Sequence, residues 1–182
     1  MYPDLVEVIR EWGLSAIQNC LNLTFGENSR LKIIEERGIL DLYKAESLTF
    51  TSNCLMSIGH HGIKYAFVLK SLTLPSSIKS IESQTFGGLR EIKTFYYCGA
   101  KDQNADIFSS GSSTQPQINA TMEVYVSSKY QGGQTFAGKE IKGIDDSKCE
   151  AQTDSCSEIC LTIKKAQHLH YSLFVFILVL CS

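Results

Sequence analysis

One stretch of the chain decides its fold: Leu72-Thr73-Leu74-Pro75-Ser76-Ser77-Ile78-Lys79-Ser80-Ile81. It predicts a short strand, a Pro-Ser-Ser turn and two further apolar residues three positions apart. The pattern recurs upstream at Leu48-Thr49-Phe50 and Leu23-Thr24-Phe25, and downstream at Phe95-Tyr96-Tyr97. The copies are evenly spaced, and a fixed period of about 20–29 residues is typical of leucine-rich solenoids, so the sequence predicts stacked repeats.

Four units align on their apolar columns within a predicted solenoid of residues 1–97. From Ile63 to Leu72 the apolar residues are three positions apart, which fits a helical or 3-10 turn, and the spacing falls to two at Leu74, as in a strand. A single unit cannot bury its own apolar face, so neighbouring units must stack. The expected fold is a mainly β leucine-rich repeat solenoid with short helical or 3-10 turns and a carboxyl-terminal cap. The units occupy residues 9–33, 34–57, 58–80 and 81–97.

One strand position in each unit is predicted to point away from the core. Parallel strands in a stack lie about 4.8 Å apart, so the side chains at this position should form one row on an open face. Two interpretations stay open: the row belongs to a ligand-binding face, or its residues simply suit a pleated surface. The row consists of Thr24, Thr49, Thr73 and Tyr96.

The period ends after Tyr97 and the chain changes character. Residues 98–144, which include an alternating apolar segment at 122–126, predict a cap, because a repeat array needs an atypical end unit to cover its last apolar face. No matching cap precedes the first unit, so the chain looks like the downstream end of a longer array. Residues 145–168 predict a polar linker and residues 169–182 a short hydrophobic tail.

Composition and motifs argue against several function classes. The net charge of −2 over 182 residues argues against electrostatic binding of nucleic acid. The glycine pairs Gly87-Gly88 and Gly132-Gly133 lack the lysine and spacing of a phosphate-binding loop. His60-His61 fits an exposed turn pair better than a metal site, because no further ligands lie at suitable spacing. We therefore expect no enzymatic activity, no cofactor and no metal.

The cysteines leave the redox compartment open. Cys20 lies in a core column and is expected to be a small buried hydrophobe, whereas Cys54 is expected to point outward. In the polar linker, Cys149, Cys156 and Cys160 fit a disulfide within the linker, free thiols or a metal cluster with nearby histidines. The chain contains an odd number of cysteines, seven: Cys20, Cys54, Cys98, Cys149, Cys156, Cys160 and Cys181.

Two features bear on export and on membranes. Asn22 and Asn119 begin N-x-T glycosylation sequons, and Asn119 is the favoured site in an exported chain because its neighbourhood is polar and irregular. The first residues lack the pattern of a signal peptide. The apolar residues 171–181 predict membrane association, yet this run is about half the length of a membrane-spanning helix. It fits half an anchor, a lipid-anchor signal or a shortened tail.

The repeat resembles a known family. The best copy, residues 69–86, together with Phe95-Tyr96-Tyr97-Cys98-Gly99 and Phe136-Ala137-Gly138, is similar to the BspA-like leucine-rich repeat. That repeat occurs in surface proteins of mucosal protozoan parasites and of some oral and gut bacteria, and the resemblance covers residues 9–144. It implies a surface antigen or adhesin that contacts protein or glycan ligands on host cells, matrix or microbes.

The tail departs from the protozoan pattern, in which many members end with a membrane helix and a short cytoplasmic tail. The resemblance implies a cell-surface or membrane-associated location. A competing interpretation is a cytoplasmic leucine-rich repeat scaffold for protein–protein interaction, which the missing signal-peptide pattern and the odd cysteine count favour.

Overall fold

The short strands of the repeats form three sheets, and most strands within these sheets are parallel. Each repeat adds strands to the sheets in turn. The computed structural model describes residues 6–15, 17, 19–110, 118–150 and 156. Within these residues the fold is a mainly β solenoid of about four turns. The first sheet has the order β1 (Val8–Ile9), β3 (Ile33–Ile34), β6 (Ser57–Ile58), β9 (Ser80–Ile81), and the second pairs β4 (Ile39–Leu40) with β7 (Ile63–Lys64).

The third sheet has seven strands and carries the strand pattern found in the sequence. Its four repeat strands begin at residues 22, 47, 71 and 94, which confirms the period predicted from the apolar columns. Their order across the sheet is β2 (Asn22–Phe25), β5 (Ser47–Phe50), β8 (Ser71–Leu74), β10 (Thr94–Tyr97), followed by β11 (Glu123–Val126), β13 (Lys139–Ile144) and the antiparallel edge strand β12 (Thr135–Phe136).

The core is built from aliphatic columns that run in register through the stack. Leu23 pairs with Leu48, Leu48 with Leu72, and Leu72 with Phe95, and all four side chains are buried. Each such leucine contributes about 1.5–3 kcal/mol through burial. The predicted scaffold role of the columns is therefore confirmed for the strand positions.

The turn of the opening stretch binds the preceding unit through its serines. Ser76 Oγ and Ser77 N both donate to Asn53 Oδ1, at 2.9 and 2.7 Å. Ser77 Oγ also donates to the carbonyl of Leu55, at 2.7 Å. These bonds satisfy polar groups beside the buried columns, so the Pro-Ser-Ser turn fastens one repeat to the next.

The segment with apolar spacing of three differs from the expected helical turn. In the second and third units it opens with the strands β4 and β7 and continues as a turn. A turn residue with positive φ precedes each of these segments at the same position in every unit. The column consists of Trp12 (61°), Arg37 (51°), His61 (54°) and Gln84 (57°).

A small residue follows each member of this left-handed column. A Cβ on Gly62 would lie 2.5 Å from Ile58 Cγ2, so neighbouring atoms would have to shift to admit a side chain there. In the fourth unit Thr85 takes the glycine position, and its Oγ1 donates to the carbonyls of Gly59 and Glu82, at 3.0 and 2.7 Å. These turns let the chain pass from the first sheet to the second in a small space.

The parallel ladder continues past Tyr97, although the apolar period ends there. Strand β11 pairs with β10 in register, and β13 pairs with β11. Between β10 and β11 a 3-10 helix, Ala105–Phe108, places Ile107 and Phe108 in the core. Asn104 caps this helix by accepting from Asp106 N at 2.9 Å.

Aromatic side chains fill the core of the cap. The Tyr97 and Phe136 rings stack with centroids 4.3 Å apart, and Phe95 meets Phe108 edge-on at 5.2 Å. Burial raises the pKa of the Tyr97 phenol, whose oxygen donates to the carbonyl of Lys101 at 2.8 Å. The core of the cap is therefore filled largely by aromatic rings, whereas the core of the repeats is mainly aliphatic.

Disulfides connect the segment after β13 to the solenoid and to the start of the cap. Cys98 bonds Cys149, which lies in the short helix α1 (Ser147–Glu150), and Cys54 bonds Cys156 at a sequence separation of 102. The expectation that Cys54 points outward is wrong: its side chain is 1% exposed. It lies in the turn after β5, where the in-out alternation of a strand no longer holds.

The remaining cysteine expectations also change. Cys149 and Cys156 are neither free nor paired within the linker, because Cys149 bonds Cys98 at the start of the cap and Cys156 bonds Cys54 in the solenoid. Cys20 is buried, as expected, but it is disulfide-bonded and so is more than a small hydrophobe. Cys160 and the tail at 169–182 lie outside the described residues. Within the described residues no group of three or more potential metal ligands converges.

Candidate ligand-binding face

Two columns of side chains cover the outer surface of the third sheet. Alternation along each four-residue strand turns the first and third residues outward and buries the second and fourth, except that Phe25 at the end of β2 is half-buried. The first column is Asn22, Ser47, Ser71, Thr94 and Glu123, and the second is Thr24, Thr49, Thr73, Tyr96 and Tyr125. We call these ten residues the polar face.

The structure brings the four predicted row residues together. Thr24 pairs with Thr49, Thr49 with Thr73, and Thr73 with Tyr96, so the four side chains stand in one row. Thr24 is exposed and the other three are half-buried. The row's position is as predicted, and its role in binding stays a prediction.

Tyr125 extends this row, although it was not among the predicted site residues. The Tyr96 and Tyr125 rings stack with centroids 5.4 Å apart and planes inclined by 22°. The alternation Val124-Tyr125-Val126 already placed Tyr125 outward, but only the register of β11 on β10 shows that it continues the row. A hydrogen bond to Glu123 raises the pKa of Tyr125, so its hydroxyl stays protonated at neutral pH.

Uncharged hydrogen-bonding groups dominate the polar face. All eight outward side chains on β2, β5, β8 and β10 carry a hydroxyl or an amide, and none is ionisable near neutral pH. Ser47 Oγ donates to Asn22 Oδ1 at 2.7 Å. Charges stand at the cap margin, where Glu123 faces Lys142 at 3.7 Å and Lys148 Nζ lies 5.9 Å from the Tyr96 ring centroid.

A shallow groove of about 510 Å³ lies at the cap end of the same sheet. Ile144 beside it is 69% exposed, and burial raises the pKa of Tyr130 on its wall. The groove mixes carboxylate, amide and aliphatic groups without a common chemistry. Among its lining residues are Ser128, Tyr130, Gln134, Glu140, Ile141 and Ile144.

The histidine pair connects two units through hydrogen bonds. His60 Nδ1 lies 2.8 Å from the carbonyl oxygen of Ser83, and His61 Nε2 lies 2.9 Å from Gln84 Oε1. Both histidines are half-buried, in contrast to the exposed pair expected from the sequence. Burial lowers the pKa of His61, so its imidazole is largely neutral at pH 7.

The two sequon asparagines differ in their surroundings. Asn119 is half-buried in a turn, and its Oδ1 accepts from Thr121 N and Oγ1 at 3.0 and 2.9 Å. Asn22 lies on the polar face itself, at the start of β2. The preference for Asn119 as the glycosylated residue stays a prediction, and a glycan on Asn22 would stand on the polar face.

The apolar run at 171–181 lies outside the described residues. Among the residues that are described, no helix has the length and hydrophobicity needed to cross a bilayer. Compared with protein-family models, with curated proteins and with solved structures, the chain matches none of them.

Proposed function

We propose that this chain is the non-enzymatic binding module of a cell-surface antigen or adhesin, and that it contacts protein or glycan ligands through the polar face. The observation that carries the proposal is the uninterrupted face itself. Ten outward side chains stand in register on five stacked strands, and none of them is buried. Stacked repeats hold such a surface rigidly, and extended surfaces of this kind serve binding.

The disulfides favour an exported protein over the cytoplasmic scaffold. Cys54–Cys156 and Cys98–Cys149 join distant parts of the chain, and Cys20 is disulfide-bonded as well. Reducing cytosol keeps most thiols unpaired, whereas secreted and surface proteins retain their disulfides. The resemblance to BspA-like surface repeats supports the same location. Membrane association through residues 171–181 is part of the proposal.

Protease treatment of intact cells tests the location. An antibody to the solenoid should lose its signal when living cells are exposed to a protease that cannot enter them. A cytoplasmic protein of the same cells, which must keep its signal, serves as the control. Full protection of the solenoid until the cells are permeabilised would contradict the surface location.

Charged substitutions on the row test the face. Thr49→Lys with Thr73→Lys introduces two ammonium groups at the centre of the polar face, and binding of the soluble chain to target cells should fall at least about tenfold. Thr135→Lys adds one charge to an exposed strand position away from the face and should bind normally. Equal binding by all three proteins, with unchanged circular dichroism, would reject the face as the contact surface.

A further inference from the structure

We infer that the polar face takes an uncharged glycan, which narrows the ligand class of the proposed function and rests on it. Three properties of the face support this ligand: its lack of charge, the spacing of its hydroxyls and the tyrosine ring at one end. Each of them follows from residues that the structure describes.

The first property is electrostatic. From β2 to β10 the outward side chains of the face carry hydroxyl and amide groups only. Lys148 stands at the cap margin, where its Nζ lies 5.9 Å from the Tyr96 ring centroid, so the centre of the face is uncharged. An anionic oligosaccharide or an acidic peptide would lose hydration of its charges without gaining paired cations there. A ligand rich in neutral hydroxyls meets no such cost.

The second property is the spacing of the hydroxyls. Neighbours in a column are about 4.8 Å apart, and the two columns are separated by about 6.6 Å along the strands. The floor formed by Ser47, Thr49, Ser71 and Thr73 therefore presents a grid on the scale of single sugar rings. A hydroxyl can donate one hydrogen bond and accept others, as sugar hydroxyls do; Ser47 already donates to Asn22 Oδ1 and is left as an acceptor.

The third property is a step in side-chain size next to Tyr96. One face of its ring packs against Tyr125 on β11, and its neighbour in the row on the other side is Thr73 of β8, a much smaller side chain. The ring thus forms a wall beside the hydroxyl floor. The electron-rich face of an aromatic ring attracts the slightly positive C–H bonds of a sugar, and a tyrosine wall loses little conformational entropy on binding.

The test uses immobilised oligosaccharides and matched variants. The neutral arm holds oligomers of glucose, galactose, mannose and N-acetylglucosamine, the anionic arm holds heparin-derived and sialylated oligosaccharides, and the protein arm holds type I collagen. The wild-type chain, with its disulfides intact, should be retained on at least one neutral glycan. Thr49→Val and Thr73→Val each remove a hydroxyl with little change of shape and should weaken that binding roughly 3- to 10-fold.

Two ring variants and one charge variant complete the set. Tyr96→Leu should weaken binding about tenfold, whereas Tyr96→Phe, which keeps the ring, should lose about threefold or less. Lys148→Ala should leave binding to a neutral glycan unchanged or stronger. The controls are Thr135→Val and Tyr43→Leu, which alter an exposed threonine and a 38% exposed tyrosine away from the face.

Three outcomes of the retention assay would overturn the inference. Retention on the anionic arm alone, lost in Lys148→Ala, would identify an acidic ligand. Retention on collagen alone, lost in the Thr49 and Thr73 variants, would leave the proposed binding function intact with a protein ligand. Absence of retention on every neutral glycan rejects the inference, and if the soluble chain also fails to bind target cells, the proposed function fails with it.

Discussion

The second and third units, residues 34–80, and the cap end, residues 98–149, are stabilised in different ways. The units repeat the same short strands, aliphatic columns and left-handed turns at nearly constant intervals. The cap end has an irregular sequence, a cluster of aromatic rings and a disulfide from Cys98 to Cys149. Stacking on similar units is enough to bury the apolar faces of the internal repeats. The cap has no further repeat to stack on, so its end is stabilised by aromatic packing and a disulfide.

One disulfide links the regular units to the chain that follows the cap end. Contacts in a solenoid are made between neighbours, so a disturbance in one unit spreads only through the next. The Cys54–Cys156 bond connects the second unit directly to the segment beyond the cap, at a sequence separation of 102. It should therefore make the unfolding of the units and of the cap more cooperative than nearest-neighbour packing alone would.

The largest expected effect lies in the cap core. Phe136 is fully buried and its ring stacks on Tyr97 and on Phe95, at centroid distances of 4.3 and 5.7 Å. Phe136→Ala should lower the free energy of unfolding by about 3–5 kcal/mol, because it leaves a cavity in a cluster that cannot close around it. Guanidinium denaturation measures the loss. Leu48→Ala in the regular stack is the matched variant, and its loss should be about 2–4 kcal/mol. If Phe136→Ala costs less than Leu48→Ala, the aromatic cluster does not stabilise the cap as described.

The next prediction compares the stability contributed by Cys54–Cys156 with that contributed by Cys98–Cys149. Replacing Cys54 and Cys156 together by serine should lower the free energy of unfolding by about 2–4 kcal/mol. The paired serine variant of Cys98 and Cys149 opens a loop half as long, with a sequence separation of 51 against 102. Its loss should be smaller by about 0.6 kcal/mol if chain entropy dominates. Denaturation without reductant measures both variants, and a larger loss for the shorter loop would show that local packing dominates.

A smaller effect distinguishes a required glycine from a free one. A methyl group on Gly62 would meet Ile58 Cγ2 at 2.5 Å and the carbonyl oxygen of Gly59 at 2.8 Å, whereas nothing lies within 4 Å of a Cβ on Gly26. Gly62→Ala should therefore destabilise the chain by about 1–3 kcal/mol. Gly26→Ala should change the melting temperature by a degree or so at most. Equal melting temperatures would show that the turns of the regular units can relax.

The period of the strands could be predicted from the sequence because every unit must bury an apolar strand face against its neighbours. Leu23, Leu48 and Leu72 stand at matching positions, and their burial follows from stacking alone. The row from Thr24 to Tyr96 followed from the same alternation. The left-handed turn column was detectable as well, since Gly13, Gly38 and Gly62 recur with the same period. A glycine alone predicts a turn, however, and does not show which neighbouring residue adopts the positive φ.

The cap and the cysteine pairs could not be predicted in the same way. Strand β10 starts at Thr94 and β11 at Glu123, and this longer interval breaks the period although the ladder continues. The pairing of Cys54 with Cys156 depends on where a segment far along the chain returns to the solenoid. No local pattern encodes such a contact. Cys54 was expected to face solvent because it precedes the core residue Leu55, and that alternation does not hold in the turn after β5.

The smallest expected effect concerns protonation on the turn side of the regular units. Burial lowers the pKa of His61, and the charges of Lys64 and Arg37 act in the same direction, while the hydrogen bond to Gln84 opposes them. The unfolded chain, with an ordinary pKa of about 6.5, takes up the proton first as the pH falls. The stability associated with a neutral His61 is thus fully present above that value and is lost as the pH falls through the lower folded pKa.

Urea denaturation at pH 7.5, 6.5 and 5.5 should accordingly show a modest decrease in stability that is weaker in His61→Asn. Asparagine suits the comparison because it tolerates the positive φ of this turn. Nuclear magnetic resonance titration of the His61 ring provides the direct measurement, with a midpoint below the ordinary value. A midpoint at or above that value would mean that the turn opens to solvent.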